Sequence, residues 1–477
     1  MLNIPEYKNA ARVFHYFEQI SKIPHGSGNT APIADYLVGF AKEHSLDFVR
    51  DGKDNVLIRK AAAKGYEDRP TVIIQGHTDM VAEKTADSTR DMLREGIEIY
   101  RDGDFLRAKD TTLGGDDGIA VAYALALLES SDIPHPAIEA LFTSDEEIGL
   151  LGADAFDKGL LRGRMMINID TDEEGVFVAG CAGGVRTDIE LPVRREELCG
   201  RKLKLSVSGL MGGHSGVEID RGRANAIKLG FLLLGSMGEV RLASAFGGNM
   251  DNAIPREFTA EIIIPEDAYN AATESYEELR AKLRKEYASA EPDMEISLSP
   301  AEFDTVPCDA KSSADIIATV NAVPFGPQAM NEEIDGLVET SLNSGIVRLD
   351  GSFKLCTSIR SSKESEKDAL TKRLRKIAVA VGADFSTRGA YPGWAYRKSS
   401  PLRSVCERVY KRMYGKDAKV ITIHAGLECG LFTGAIPELD CISMGPENHD
   451  IHTTEEHLSI SSSARVWEYL LAVLKEI

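Results

Sequence analysis

The sequence predicts an α/β protein: a doubly wound, mostly parallel sheet interrupted by an inserted α+β domain. Three observations carry this. Apolar strand-like runs at 71–75, 138–142 and 165–169 alternate with helical segments through the first 185 residues. Those runs are continuous rather than alternating, as in strands covered on both faces. Between residues 186 and 396 the pattern changes to alternating strands, such as 202–208, and amphipathic helices, before the α/β character returns. A chain of 477 residues also exceeds what one hydrophobic core usually serves. The expected division is one domain of residues 1–185 and 397–477 and an inserted domain of residues 186–396.

In chain order, Val13, Phe14, Phe17 and Ile20 give the helical spacing of residues 7–22, which end in a breaker-rich loop at 24–29 holding His25. That histidine reads as a solvent-facing loop residue or as part of a substrate rim. A helix at about 30–44 and short strands near 48–50 and 55–58 follow. The run 71–75 then stops at Gly76 and presents His77 and Asp79, which point the same way on an extended backbone. A neutral imidazole whose tautomer is fixed by a neighbouring group is a good zinc ligand. The bland alternative is a satisfied histidine beside a turn-forming aspartate.

After a polar excursion at 82–105, the glycine loop 111–118 leads into an Ala/Leu-rich buried helix at 119–128. An aspartate there is a good helix N-cap, and a carboxylate leaving the loop, such as Asp116, can reach over the strand ends near His77; both can hold at once. The strand 138–142 runs into Asp145, Glu146 and Glu147. Ser144 and Glu147 have capping-box spacing, yet three adjacent carboxylates are easiest to understand beside a cation. The run 165–169 ends on Asp170.

The inserted segment holds one helix with Tyr276, Leu279, Leu283 and Tyr287 on a face and Glu278 and Lys282 paired, and another with Leu370, Leu374, Ile377 and Val381. Its glycine-rich loop 209–216 surrounds His214 but lacks both a P-loop lysine and Gly-x-Gly-x-x-Gly spacing. Near the end, the loop 444–456 carries His449 and His452, either of which could be a ligand or neither, before a last helix at about 461–477.

With 55 basic against 75 acidic residues, a formal net charge of -20, the chain is a poor partner for nucleic acid or an anionic membrane. Its seven cysteines are scattered without a Cys-x-x-Cys pair, which points to a reducing compartment. The first residues lack signal-peptide patterning and no run reaches 18 apolar residues, so a cytoplasmic location is expected.

His77, Asp116, Glu146, Glu147, Asp170 and a late histidine form a set of imidazoles and carboxylates without thiolate. Such a set suits one or two zinc ions in an open site, with one of the paired glutamates free to act as a base.

The ordered motifs Gly76-His77-Thr78-Asp79, Gly115-Asp116-Asp117-Gly118, Asp145-Glu146-Glu147-Ile148-Gly149, Asn168-Ile169-Asp170, Gly212-Gly213-His214-Ser215-Gly216 and His452-Thr453-Thr454-Glu455 span nearly the whole chain. In this it resembles the dinuclear zinc amidohydrolases and peptidases that include aminoacylases, carboxypeptidase G and aminoacyl-histidine dipeptidases. The Xaa-His (cytosol non-specific) dipeptidase subgroup is similar at Thr111-Thr112-Leu113-Gly114, Asn252-Ala253-Ile254-Pro255-Arg256-Glu257, Ile359-Arg360-Ser361-Ser362 and His424-Ala425-Gly426-Leu427-Glu428-Cys429-Gly430. The resemblance implies hydrolysis of unblocked dipeptides, β-Ala-His types included, with two Zn2+ per chain and Mn2+ or Co2+ as substitutes.

By the same resemblance, His77, Asp116 and Asp170 would hold one zinc and Asp116, Glu147 and His452 the other. Asp79 would orient His77 and Glu146 would be the general base. The inserted domain would be a lid through which homodimers form, with His214 stabilising the oxyanion and Asn252 and Arg360 binding substrate. The Thr-x-Glu sequence after His452 favours it over His449. Asp117 departs from the subgroup, which commonly has Asn there. Two rival readings remain: an amidohydrolase for N-acyl amino acids, and a catalytically silent metal-binding partner protein.

Overall fold

The computed structural model describes residues 4–332, 334 and 336–477. They divide into two compact units, each built around its own apolar core. The first unit takes in the chain through Cys181, then Trp394–Thr422 and Leu427–Ile477; the second is Ala182–Gly393 with Ile423–Gly426.

The first unit begins with α1 (Ala11–Ser21), α2 (Ala31–Glu43), β1 (Asp47–Arg50), β2 (Val56–Lys60) and β3 (Val72–His77). There follow β4 (Ile99–Asp102), β5 (Phe105–Ala108), α3 (Gly115–Glu129), β6 (Ile138–Thr143), α4 (Leu151–Ala155), β7 (Met165–Asn168) and β8 (Val176–Cys181). An eight-stranded sheet runs β1-β2-β6-β3-β7, then a strand at Asp440–Ser443, β8, and a strand at Lys419–Ile423.

The sheet is mixed, and its parallel part is the four central strands: β6, β3, β7 and Asp440–Ser443. The antiparallel edge has a simple cause. Only residues 51–55 join β1 to β2, and a connection that short permits a hairpin but no parallel crossover. β3 and β6 are buried along their whole length, matching their unbroken apolar sequences. The Ala/Leu-rich α3 is buried from Asp117 to Leu128 and packs against β3 and α1.

The second unit comprises β9 (Gly183–Leu191), β10 (Arg201–Ser208), β11 (Gly213–His214), α5 (Ala226–Ser236), β12 (Arg241–Gly247), β13 (Ala253–Ile254), β14 (Phe258–Ile264), α6 (Tyr269–Glu286) and β15 (Glu295–Pro300). It continues with α7 (Ala310–Ala322), β16 (Gly326–Met330), β17 (Val338–Leu349), β18 (Phe353–Ser361), α8 (Glu364–Ala380) and β19 (Asp384–Tyr391). Its main sheet runs β15-β10-β14-β12-β17-β18-β9-β19, with β16 paired to β17. Tyr276 and Leu283 of α6 and Leu370 and Leu374 of α8 are buried in its core, and Leu279, Tyr287, Ile377 and Val381 pack partly against it.

The chain then returns to the first unit through α9 (Pro401–Tyr414), β20 (Lys419–Ile423), α10 (Glu428–Ala435), β21 (Asp440–Ser443), β22 (Asn448–His449), β23 (His457–Ser459) and α11 (Ile460–Glu476). β22, β23, β5 and β4 form a separate four-stranded sheet. Among the described residues no helix is long and apolar enough to cross a membrane.

Candidate metal centre

The parallel register of β3 with β6 and β7 pairs His77 with Thr143 and Gln75 with Asn168. The three strands therefore end side by side, and the residues just past them converge at the carboxyl edge of the sheet, where α/β folds gather ligands. Gly76 is required by close packing, because a Cβ there would lie 2.4 Å from Ala120 Cβ and 2.5 Å from Asp117 Oδ2. That approach lets the Asp117 carboxylate accept the His77 N–H at 3.2 Å.

His77 is buried, and its Nδ1 lies 2.9 Å from the Asp79 carbonyl oxygen and 3.6 Å from the Asp79 carboxylate. The carbonyl can only accept, so Nδ1 carries a proton and Nε2 is the nitrogen turned toward Asp116, a donor while the ring is charged and a ligand atom once it is neutral. The nearer contact to the His77 ring is thus the main chain of Asp79. Its carboxylate accepts from Ser27 Oγ at 2.7 Å and from the N–H groups of Glu146 and Glu147 at 2.9 and 3.3 Å, which fixes the turn bearing both glutamates. No Ser144/Glu147 capping box forms: Ser144 Oγ donates to the Lys53 carbonyl, and residues 147–149 turn, with Asp145 ahead of them in the left-handed region at φ +52°.

Asp116 is not a helix cap. Gly114, at φ +68°, is the residue that caps α3. The free N–H groups there go to Glu456, whose carboxylate accepts from Leu113 and Gly115 at 2.8 Å, Gly114 at 2.9 Å and Asp116 at 3.3 Å. Released from capping, Asp116 divides its two oxygens: Oδ1 lies 3.0 Å from His77 Nε2, and Oδ2 lies 3.2 Å from His452 Nε2. His77 Nε2 is also 3.9 Å from Asp170 Oδ1, and His452 Nε2 is 2.8 Å from Glu147 Oε1. His452 sits at φ +64°, a backbone conformation seldom adopted by a non-glycine residue.

The electrostatics are those of a cation site. Desolvation alone would depress the His77 pKa, but hydrogen bonding to Asp116 and Asp79 holds it well above the usual value. Hydrogen bonds that its ring donates to the Asp116 and Glu147 carboxylates raise His452 to about 10. Burial pushes Glu146 up to about 8, with Glu428 and Glu147 adding repulsion that the His77 charge only partly offsets. Burial likewise raises Asp170 well above the ordinary range.

Among the described residues, three groups have ligand atoms all within 4.8 Å of one another: His77, Asp116 and Asp170; Asp116, Glu147 and His452; and His77, Glu146 and Glu147. Asp116 belongs to two of them. Imidazole nitrogens facing carboxylate oxygens, with no sulfur donor, fit zinc or a similar divalent ion.

The other sequence-derived candidates lie in the second unit. His214, on β11, accepts the N–H groups of Gly216 and Val217 at Nδ1, both at 3.2 Å, so its proton resides on Nε2. Burial, with the Arg360 charge adding to it, lowers its pKa. The Asn252 carbonyl accepts the Ser215 N–H at 2.8 Å, and the side chain of Arg360 on β18 is buried, with Nη1 donating to Tyr391 Oη at 3.3 Å. His25 is buried rather than solvent-facing, its Nδ1 bound to the Ile23 carbonyl at 2.6 Å. His449 points elsewhere, pairing with His457 across β22 and β23.

Two buried acids beside the centre, Glu456 and Glu428, went unassigned in the sequence. Glu456 follows the Thr-x-Glu pattern directly. Glu428 lies in the His424–Gly430 motif; it accepts from Gln75 Nε2 at 2.5 Å and Thr143 Oγ1 at 2.6 Å, and burial raises it to about 7.

Comparison with known proteins matches residues 73–476 to the family described as peptidase family M20/M25/M40. The cytosol non-specific dipeptidase of Escherichia coli (strain K12) is 38% identical over 467 residues, covering 97% of this chain and 96% of that protein. The crystal structure of aminoacylhistidine dipeptidase from Vibrio alginolyticus superposes with a TM-score of 0.91 at 34% identity, covering 98% of this chain and 96% of that one. Aminopeptidase PepT from Bacillus cereus shares the fold, with a TM-score of 0.58 at 15% identity over 98% of this chain and 99% of the other. With a family match and a relative that each cover most of its length, this chain belongs to peptidase family M20/M25/M40.

Proposed function

We propose that the chain is a metallo-dipeptidase that hydrolyses unblocked dipeptides, Xaa-His and β-Ala-His types among them. The observation that carries this reading is the division of the Asp116 carboxylate between His77 and His452, beside Glu146, whose carboxyl burial pushes up. It is supported by near full-length similarity to a dipeptidase from Escherichia coli and an aminoacylhistidine dipeptidase from Vibrio alginolyticus.

His77, Asp116 and Asp170 hold one ion and Asp116, Glu147 and His452 the second. Two zinc ions, with manganese or cobalt as substitutes, supply a lowered water pKa and polarisation of the scissile carbonyl. Glu146 takes the proton of the attacking water and delivers it to the leaving amine; its burial and the neighbouring Glu428 and Glu147 carboxylates raise its proton affinity, while the bound cations oppose them. Asp79 keeps both glutamates in place through their N–H groups. His214, neutral and protonated on Nε2, donates to the developing oxyanion. Arg360, with Asn252, captures the substrate, its guanidinium forking onto the C-terminal carboxylate. Residues 186–396 act as a lid that excludes water, and the working form is a cytoplasmic homodimer joined through that lid.

The test is amino acid release from β-Ala-His, Gly-His, Leu-Leu, a tripeptide and an N-acetyl amino acid by zinc-loaded protein and its Glu146→Gln variant. Dipeptide cleavage that the variant loses by about 10²–10⁴-fold, with the acetylated compound untouched, is the expected result. Turnover of the acetylated compound alone would replace the reading with an amidohydrolase. Bound metal without any turnover would make the chain a silent metal-binding partner.

A further inference from the structure

The small sheet of β22, β23, β5 and β4 carries a histidine pair that peptide hydrolysis leaves unused. β22 and β23 are the arms of a hairpin whose loop bears His452, and His449 and His457 are direct partners across those arms. Facing residues of an antiparallel pair hold their Cβ atoms about 4.5–5.5 Å apart. Here the ring centroids are 5.1 Å apart, inclined at 45°. Phe105 of β5 packs edge-on beside both rings, at 4.8 Å from His457 and 6.2 Å from His449. The side chain of His449 remains 45% exposed, so the pair opens to solvent.

The donor chemistry is that of a metal chelate. His457 Nδ1 lies 2.8 Å from the Glu455 carbonyl, so that nitrogen carries the proton and the Nε2 lone pair is free. His449 Nε2 lies 3.7 Å from Glu447 Oε2, while the other Glu447 oxygen is anchored by the Glu174 N–H at 2.9 Å. The Asp450 carboxylate stands 3.6 Å from His457 Nδ1. Arg107, opposite His457 on β5, donates to Asp102 and to the Glu455 carbonyl. Two zinc–nitrogen bonds of about 2.0–2.1 Å at a tetrahedral angle place two imidazole centres about 5 Å apart. The observed ring-centroid spacing of 5.1 Å matches that requirement.

We propose that His449 and His457 form a second metal site for a borderline divalent ion such as Zn2+, separate from the cluster around Asp116, with the Glu447 carboxylate and water completing the shell. An ion held there ties together both arms of the hairpin that presents His452 and Glu456. With two imidazoles as its anchors, the site fills after the carboxylate-rich cluster has filled.

The full-length protein and its H449N, H457N and H449N/H457N variants are dialysed against buffered free zinc from nanomolar to millimolar, and bound metal is counted by mass spectrometry. The wild type should take up one ion per chain more than the double variant, in a distinct weaker phase. Each single variant should weaken that phase by about tenfold or more. The tight phase should be the same in all four proteins, which also reports that they fold. Superimposable isotherms for wild type and double variant would overturn the proposal, as would loss of the tight phase in a folded variant. If the variants do not fold, Co2+ added to wild type loaded with zinc only through its tight phase decides: selective broadening of the His449 and His457 imidazole NMR signals supports the site, and its absence refutes it. Bound metal, not turnover, is the readout, so the result is independent of whether any dipeptide is cleaved.

Discussion

Replacing Glu456 with alanine tests how the glycine loop is held in the shape that frees Asp116. Its carboxylate accepts three short N–H bonds, from Leu113, Gly114 and Gly115 at 2.8–2.9 Å, and a longer one from Asp116 at 3.3 Å. Hydrogen bonds to a charged group contribute about 1.5–3 kcal/mol each, so the three short ones sum to several kcal/mol. Part is offset, because burial raises the Glu456 pKa and so disfavours the charged form. A net loss of about 3–5 kcal/mol is expected for Glu456→Ala, since the alanine leaves buried donors without an acceptor. Metal affinity should fall by about 10–100-fold as Asp116 loses its fixed orientation. Glu456→Gln keeps one oxygen but turns an amide N–H2 toward the same donors, so it should lie nearer to alanine than to wild type. Urea unfolding of the metal-free protein and competition with a zinc chelator measure both effects. An alanine variant with the wild-type urea midpoint and zinc affinity would refute the claim that Glu456 builds the loop.

Three further outcomes follow from the same geometry. His452 is raised from 6.5 to about 10 in the metal-free protein, so its stabilising contribution is complete below pH 6.5 and is lost as pH rises through about 10. Its side chain is 45% exposed, which limits the effect to about 1 kcal/mol; His452→Asn should remove that part of the pH dependence of the urea midpoint. Burial raises the Asp117 pKa well above 3.8, so this group loses stability as pH rises from 3.8 toward its folded value. Asp117→Asn keeps an acceptor for the His77 N–H and should make the metal-free protein progressively more stable than wild type with increasing pH; a variant less stable at alkaline pH would contradict this. Arg360→Lys removes the planar fork, and dipeptide KM should rise by about 10–100-fold with a smaller change in kcat, measured by steady-state kinetics.

The legible parts of the sequence were those written locally. The unbroken apolar run of β3 ending at Gly76 announced both a covered strand and the exit point of His77, and the same logic placed Glu146, Glu147 and Asp170 at neighbouring strand ends. What stayed hidden depends on contacts between distant segments. Glu456 reaches Gly115 across 341 residues and Glu428 reaches Gln75 across 353, and no spacing rule encodes either. The bland capping readings of Asp116 and Ser144 failed for the same reason: Glu456 and Asn55, both far away in sequence, take the N–H groups concerned. The polar excursion concealed β4 because Tyr100, Arg101 and Asp102 are exposed, which leaves no apolar signal. His449 could not be separated from His452 by proximity in sequence, because the hairpin register pairs one with His457 and aims the other at Asp116.

The central claim, that Asp116 is shared between two metal ions, is tested most directly by anomalous diffraction at the zinc edge from crystals of zinc-loaded protein. Two peaks about 3.5–4 Å apart are predicted. Each should lie about 2.0–2.2 Å from a different Asp116 oxygen, one also beside His77 and Asp170 and the other beside Glu147 and His452. A single peak, or two peaks that do not share Asp116, would contradict the account.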